Sequence, residues 1–85
     1  NIIDERIKGD STNSYVKELN QKGVKEIAKK VTEEAGETSI SAVTNDGRLV
    51  DESADLLFHL AVLLKNQSLT FNDVIDELKK RNVSQ

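Results

Sequence analysis

The chain has 85 residues, with 12 Lys plus Arg against 15 Asp plus Glu and no cysteine. This length predicts a single domain, residues 1–85, and the lack of cysteine excludes disulfides and thiolate metal sites. A net charge of −3 argues against general nucleic-acid binding. No apolar run approaches the roughly 20 residues that a membrane span needs, and no signal peptide is visible. We therefore expect a cytoplasmic protein without a membrane partner.

The first part of the chain is predicted to contain helix interrupted by turns. Residues 1–8 have the pattern of a helix end, and because the chain starts at Asn rather than Met, we expect residues to be missing ahead of it. Residues 9–13 consist of the usual turn residues and predict a loop. A short helix from Asn13 or Ser14 to about Lys22 follows, and Gly23 is placed to end it.

The middle of the chain predicts an αα-hairpin. Apolar residues recur at helical spacing between residues 24 and 44, and the Asn45-Asp46-Gly47 turn breaks this pattern. A second helix, from about residue 48 to 66, becomes apolar on nearly every side from Leu56 to Leu64. Such a helix must be buried all round, which four short helices of one chain cannot achieve.

The last helix has a recognisable beginning. Thr70 is placed as its N-cap, with Asp73 in the position of a capping-box partner and with Leu69 and Val74 in those of a hydrophobic staple. The sequence contains no proline and shows a helical period in every long segment. We predict an all-α antiparallel bundle of four to five helices, completed by homodimerisation.

Two acidic pairs at i,i+3 spacing lie on the predicted hairpin, Glu34 with Glu37 and Glu52 with Asp55. The tight turn makes the two helices antiparallel neighbours, so the pairs lie at similar depth. Four carboxylates converging in a partly buried groove would have to protonate or bind a cation. An all-oxygen set favours Mg²⁺ or Mn²⁺ over zinc.

Simpler interpretations of the same residues remain open at this point. Lys29 and Lys30 precede Glu33 and Glu34 by four residues, so these acids could belong to a solvated salt-bridge ladder. The acids of the second pair lie in the first turns of their helix, where the dipole favours negative charge. A single histidine on an apolar face, such as His59, is more often a hydrogen-bonded core residue than a metal ligand.

The complete pattern resembles a known family. Fourteen residues separate E-x-x-E from E-x-x-D, and residues 30–37 and 52–60 carry most of the likeness, which extends over residues 6–81. The chain resembles the phosphoribosyl-ATP pyrophosphatases of histidine biosynthesis, within the MazG-like all-α NTP pyrophosphatase superfamily. It departs from that family at Thr32, where glycine is usual, and at Phe58, where tyrosine is common. It also looks shortened at its N-terminus.

The resemblance implies Mg²⁺-dependent hydrolysis of the α–β phosphoanhydride of phosphoribosyl-ATP to phosphoribosyl-AMP and pyrophosphate. It also implies a dimer. Under this hypothesis the two acidic pairs hold the ion, with Glu34 and Glu37 at the catalytic centre. Glu33 orients or deprotonates water, and three cations are candidates for phosphate contacts: Lys30, Lys29 and Arg6.

Two other functions fit the same pattern. An enzyme of the same superfamily acting on dNTPs or non-standard nucleotides would keep the metal site and differ around the base. A non-catalytic, dimeric helical docking module would leave the acids solvated. The placement of the acids beside the apolar stripes, rather than opposite them, favours an enzyme.

Overall fold

The computed structural model describes residues 10–82, and side chains from residue 14 onward. Within this range the chain is helical and contains no strand, which confirms the all-α prediction. None of the described helices is both long and apolar enough to cross a membrane. The helices are α1 (Asp10–Lys22), α2 (Val24–Thr44), α3 (Leu49–Asn66) and α4 (Phe71–Asn82).

The turns at Gly23 and at residues 45–47 lie where the sequence predicts them. Gly23 separates α1 from α2 with a φ of 97°, a left-handed conformation that costs glycine little. Asn45 ends α2 with a φ of 55°, and Gly47 follows with a φ of 80°. Asparagine and glycine are the residues that most readily adopt such angles. The turn therefore reverses the chain and produces the predicted αα-hairpin.

The beginnings of two helices test the local predictions. The capping box at α4 is confirmed: the Thr70 backbone N–H donates to Asp73 Oδ2 at 2.8 Å, and the Asp73 N–H donates to Thr70 Oγ1 at 3.3 Å. The start predicted for the first helix is wrong, because α1 begins at Asp10 and includes residues that we assigned to a loop. Asp, Ser, Thr and Asn are as suited to the first turn of a helix as to a loop.

The hydrophobic core is small and centres on the packing of α2 against α3, with α1 covering one side of α2. Partly buried apolar residues from α1, α3 and α4 surround it. In α3, Leu57 stays 43% exposed, so one chain does not enclose this helix. The residues that form the buried core are Leu19, Ile27, Ala61 and Val62.

Large apolar side chains remain exposed around the end of the α2–α3 hairpin. Val43 is 86% exposed, Val50 81% and Ile40 62%. Single exposed apolar residues are ordinary, but a group of this size at one end of a small domain is not.

Candidate metal centre

Three carboxylates meet across the α2–α3 hairpin. Glu34 and Glu37 lie one turn apart on α2, and Glu52 lies on α3; one carboxylate oxygen from each is within 4.8 Å of those of the other two. We call these three residues the acidic trio. The i,i+3 spacing places the α2 pair on one face, and the antiparallel hairpin brings Glu52 to them.

The acidic trio has more negative charge than its surroundings compensate. Glu34 Oε2 is buried and has no hydrogen-bond partner among the described residues. The pKa of Glu37 is raised, first because its protonated side chain would hydrogen-bond to Glu34 and also because the charge of Glu34 repels its own. Carboxylates in this arrangement either share a proton or take up a cation.

A threonine joins the two helices at the level of the trio. Thr38 Oγ1 lies 2.7 Å from the Glu34 carbonyl oxygen and 3.1 Å from the Glu52 carbonyl oxygen. Its single hydroxyl proton is therefore shared between a carbonyl of α2 and one of α3. Thr38 is not among the residues predicted from the sequence, although it lies one helical turn after Glu34 on the same helix.

The hairpin turn holds an arginine against the trio. Asp46 Oδ1 accepts hydrogen bonds from Ser41 Oγ at 2.5 Å and from the Arg48 backbone N–H at 2.9 Å. These two bonds, the one from Ser41 first, lower the pKa of Asp46. The Arg48 guanidinium then donates to Glu52 Oε1 at 3.1 Å. The pairing raises the pKa of Arg48.

Asp55 and Glu33, the other acids predicted from the sequence to act in the site, lie outside the trio. Asp55 is exposed and is not a member of the three-carboxylate group. The i,i+3 spacing that brings Glu34 and Glu37 together does not by itself bring Asp55 to the trio, because the packing of α3 against α2 decides which α3 side chains face α2. Glu33 is also exposed, and its carboxylate lies 3.7 Å from Lys30 Nζ.

The predicted phosphate-binding cations have different positions. Lys30 pairs with Glu33 at i,i+3, rather than with Glu34 at the i,i+4 spacing considered above. Lys29 is exposed on α2. Arg6 lies outside the described residues.

His59 is a satisfied core residue in this structure. Only 7% of it is exposed, and its Nδ1 lies 2.7 Å from the Asp55 carbonyl oxygen. A carbonyl cannot donate, so Nδ1 carries the proton, and in the neutral ring Nε2 accepts from the Tyr15 hydroxyl at 2.7 Å. Burial raises the pKa of Tyr15, which keeps this hydroxyl protonated. The geometry agrees with the structural interpretation of His59 rather than with a ligand role.

The trio suits a hard divalent cation. All its donors are carboxylate oxygens, which Mg²⁺ and Mn²⁺ prefer. The buried, unpartnered Oε2 of Glu34 is an acceptor for which such an ion would supply the missing partner. Fold and site together define a small all-α domain with a carboxylate centre between two antiparallel helices.

Comparison with known proteins identifies the family. Residues 1–82 match the phosphoribosyl-ATP pyrophosphohydrolase family, and the chain belongs to it. The resemblance found in the sequence is thereby confirmed.

Some of the relatives are named as bifunctional proteins, and another is named as a phosphoribosyl-ATP pyrophosphatase. The histidine biosynthesis bifunctional protein HisIE of Buchnera aphidicola subsp. Schizaphis graminum is 49% identical over 81 residues, 94% of this chain and 39% of that protein. The HisIE protein of Salmonella typhimurium is 45% identical, over 95% of this chain and 40% of its own length. The phosphoribosyl-ATP pyrophosphatase of Novosphingobium aromaticivorans is 50% identical, over 93% of this chain and 75% of its own length. The chain thus spans well under half the length of the bifunctional relatives.

Proposed function

We propose that this domain hydrolyses the α–β phosphoanhydride of phosphoribosyl-ATP, releasing phosphoribosyl-AMP and pyrophosphate in histidine biosynthesis. The proposal rests on family membership together with one observation in the structure. That observation is the acidic trio, in which three carboxylates lie close together and one of them, that of Glu34, has a buried oxygen with no hydrogen-bond partner among the described residues.

Magnesium is the cofactor that we propose for the site, and Mn²⁺ is its expected substitute. Glu34, Glu37, Glu52 and Asp55 are proposed to hold the ion. The first three form the acidic trio, and Asp55 lies one helical turn beyond Glu52 on α3. When bound, the ion would neutralise phosphate charge and lower the pKa of a water molecule. The raised pKa of Glu37 supports this role, because a cation would relieve the same repulsion that a proton relieves.

The other residues act around this centre. Glu33 is exposed next to the trio on α2 and is proposed to orient or deprotonate the attacking water. Lys30, held at 3.7 Å from Glu33, is proposed to contact a substrate phosphate, and Lys29 and Arg6 are further candidates. An ammonium near the phosphates would stabilise charge without a fixed geometry.

The direct test is an assay for pyrophosphate with phosphoribosyl-ATP, with and without Mg²⁺. We expect Mg²⁺-dependent release of pyrophosphate together with phosphoribosyl-AMP. Glu34→Gln and Glu37→Gln should abolish turnover and leave the helical circular dichroism spectrum intact. The control substitution Glu26→Gln makes the same chemical change on the same helix outside the trio, and this variant should retain turnover.

The alternatives are outcomes of this experiment. Pyrophosphate release from dNTPs but not from phosphoribosyl-ATP would support the proposed metal centre and overturn the proposed substrate. No release from any nucleotide and no Mg²⁺ binding would overturn the enzymatic proposal in favour of a helical docking module.

We also propose that the domain acts as a homodimer. Val43, Val50 and Ile40 expose 86%, 81% and 62% of their surface, and Leu57 leaves α3 partly uncovered. Burying such side chains in a second copy is a common way for a small chain to complete its core. Light scattering that shows a stable monomer at micromolar concentration would contradict the proposal. The cytoplasm stays the predicted location.

A further inference from the structure

Arg48 lies at the rim of the acidic trio. It is the N-cap residue of α3, and its guanidinium is within 3.1 Å of Glu52 Oε1 and 3.6 Å of Asp51 Oδ2. The Arg48 side chain is 57% exposed, whereas that of Glu52 is 13% exposed. The guanidinium thus approaches a largely buried carboxylate from the solvent side.

The position of this arginine requires an explanation. The N-terminus of a helix carries partial positive charge, so a cation there is unfavourable. Asp46 fixes the Arg48 backbone through the bond to its N–H, but the long side chain could still extend into solvent. Its pairing with Glu52 and Asp51 indicates that attraction to these two carboxylates outweighs repulsion by the helix dipole.

We propose that Arg48 is a resident counterion of the acidic trio, which stabilises the metal-free protein and competes with the divalent cation for Glu52. The inference rests on the metal centre proposed above. Without the ion, the guanidinium neutralises one of three carboxylates. When the ion arrives, two cations face the same carboxylate, and their repulsion loosens the Arg48–Glu52 pair.

A series of charges at position 48 tests the proposal, with Mg²⁺ affinity measured by titration calorimetry on the full chain. Arg48→Gln should tighten the Kd for Mg²⁺ about three- to tenfold, the size expected for a partly exposed charge beside the site. It should also lower the Tm of the metal-free protein. Arg48→Lys, which keeps the charge, should stay near the unaltered protein, and Arg48→Glu should bind Mg²⁺ more tightly still.

A matched control and a salt series separate this effect from a general one. Arg81 pairs with Glu77 on α4 at 2.9 Å and i,i+4 spacing, so Arg81→Gln removes the same charge from a more exposed pair outside the hairpin. Its Kd for Mg²⁺ should equal that of the unaltered protein. High salt should reduce the difference between Arg48→Gln and the unaltered protein, because the interaction is between charges.

The outcomes distinguish the two proposals. Mg²⁺ binding by the unaltered protein, with no tightening in Arg48→Gln, would overturn the role of Arg48 and leave the metal centre in place. No Mg²⁺ binding by the unaltered protein would overturn both. If Arg48→Gln fails to fold, the Arg48 Nε–H resonance of the unaltered protein decides: it should shift on addition of Mg²⁺, and an unchanged resonance would refute the competition.

Discussion

The hydrogen bond between Tyr15 and His59 links α1 to α3, and the substitution Tyr15→Phe tests how much this bond contributes to the free energy of unfolding. The substitution removes the hydroxyl that donates to His59 Nε2 at 2.7 Å and leaves the ring in place. Because His59 is 7% exposed, Nε2 would become a buried acceptor without a partner. Such a group costs about 1–3 kcal/mol, and the lower half of this range applies because Tyr15 is only partly buried. For a domain of this size, a loss of about 1–2 kcal/mol lowers the Tm by about 4–16 °C.

A double-mutant cycle isolates this bond. Unfolding is followed by circular dichroism at one fixed protein concentration, since association would make the Tm depend on concentration. In a His59→Leu background the same Tyr15→Phe change should lower the free energy of unfolding only slightly, because the buried acceptor that would lose its partner is absent. A loss below about 0.5 kcal/mol in the original background would refute the reasoning, as would equal losses in both. The side-chain nitrogen resonances of His59 should independently show a proton on Nδ1.

The remaining predictions concern the hairpin and its electrostatics. Gly47 has a φ of 80°, so Gly47→Ala should lower the free energy of unfolding by about 1 kcal/mol. Gly36 lies in mid-helix with no atom within 4 Å of an added Cβ, so Gly36→Ala should raise the free energy of unfolding by about 0.5–1 kcal/mol. Urea denaturation measures both changes. The pKa of Glu37 in the folded protein is raised from its ordinary value of 4.5, so protonated Glu37 stabilises the fold fully below pH 4.5 and this stabilisation is lost as pH rises through the folded pKa. In the metal-free protein, Glu37→Gln should therefore remove this loss of stability with rising pH. An unchanged profile of stability against pH would contradict the prediction. The pKa of Asp46 in the folded protein is lowered from its ordinary value of 3.8, so ionised Asp46 stabilises the fold above pH 3.8 and this stabilisation is lost as pH falls through the folded pKa. Asp46→Asn should therefore make the Tm fall less steeply with decreasing pH in the acid range.

The candidate site was predictable in part. Helical periodicity places Glu34 and Glu37 on one face, and the turn makes Glu52 their neighbour, so local geometry sufficed for the trio. Asp55 shows where that reasoning ends. Its spacing from Glu52 allows it to join the cluster, but in the structure Asp55 is exposed and outside the three-carboxylate group. A helical wheel gives directions around one helix, and it does not give the angle between two.

The sequence by itself determined the family of this protein, the turns at Gly23 and residues 45–47, and the helices apart from the start of α1. Local signals were sufficient for these features: asparagine and glycine where φ is positive, a threonine–aspartate capping box, and apolar residues at helical spacing. The tertiary structure decided which side chains meet. The Thr38 bridge to the Glu52 carbonyl, the Tyr15–His59 bond and the buried oxygen of Glu34 depend on helix packing, which brings together residues distant in the chain. The contact of Arg48 with Glu52 spans only four residues, but the meeting of Glu52 with Glu34 and Glu37 of α2 depends on the packing of the two helices.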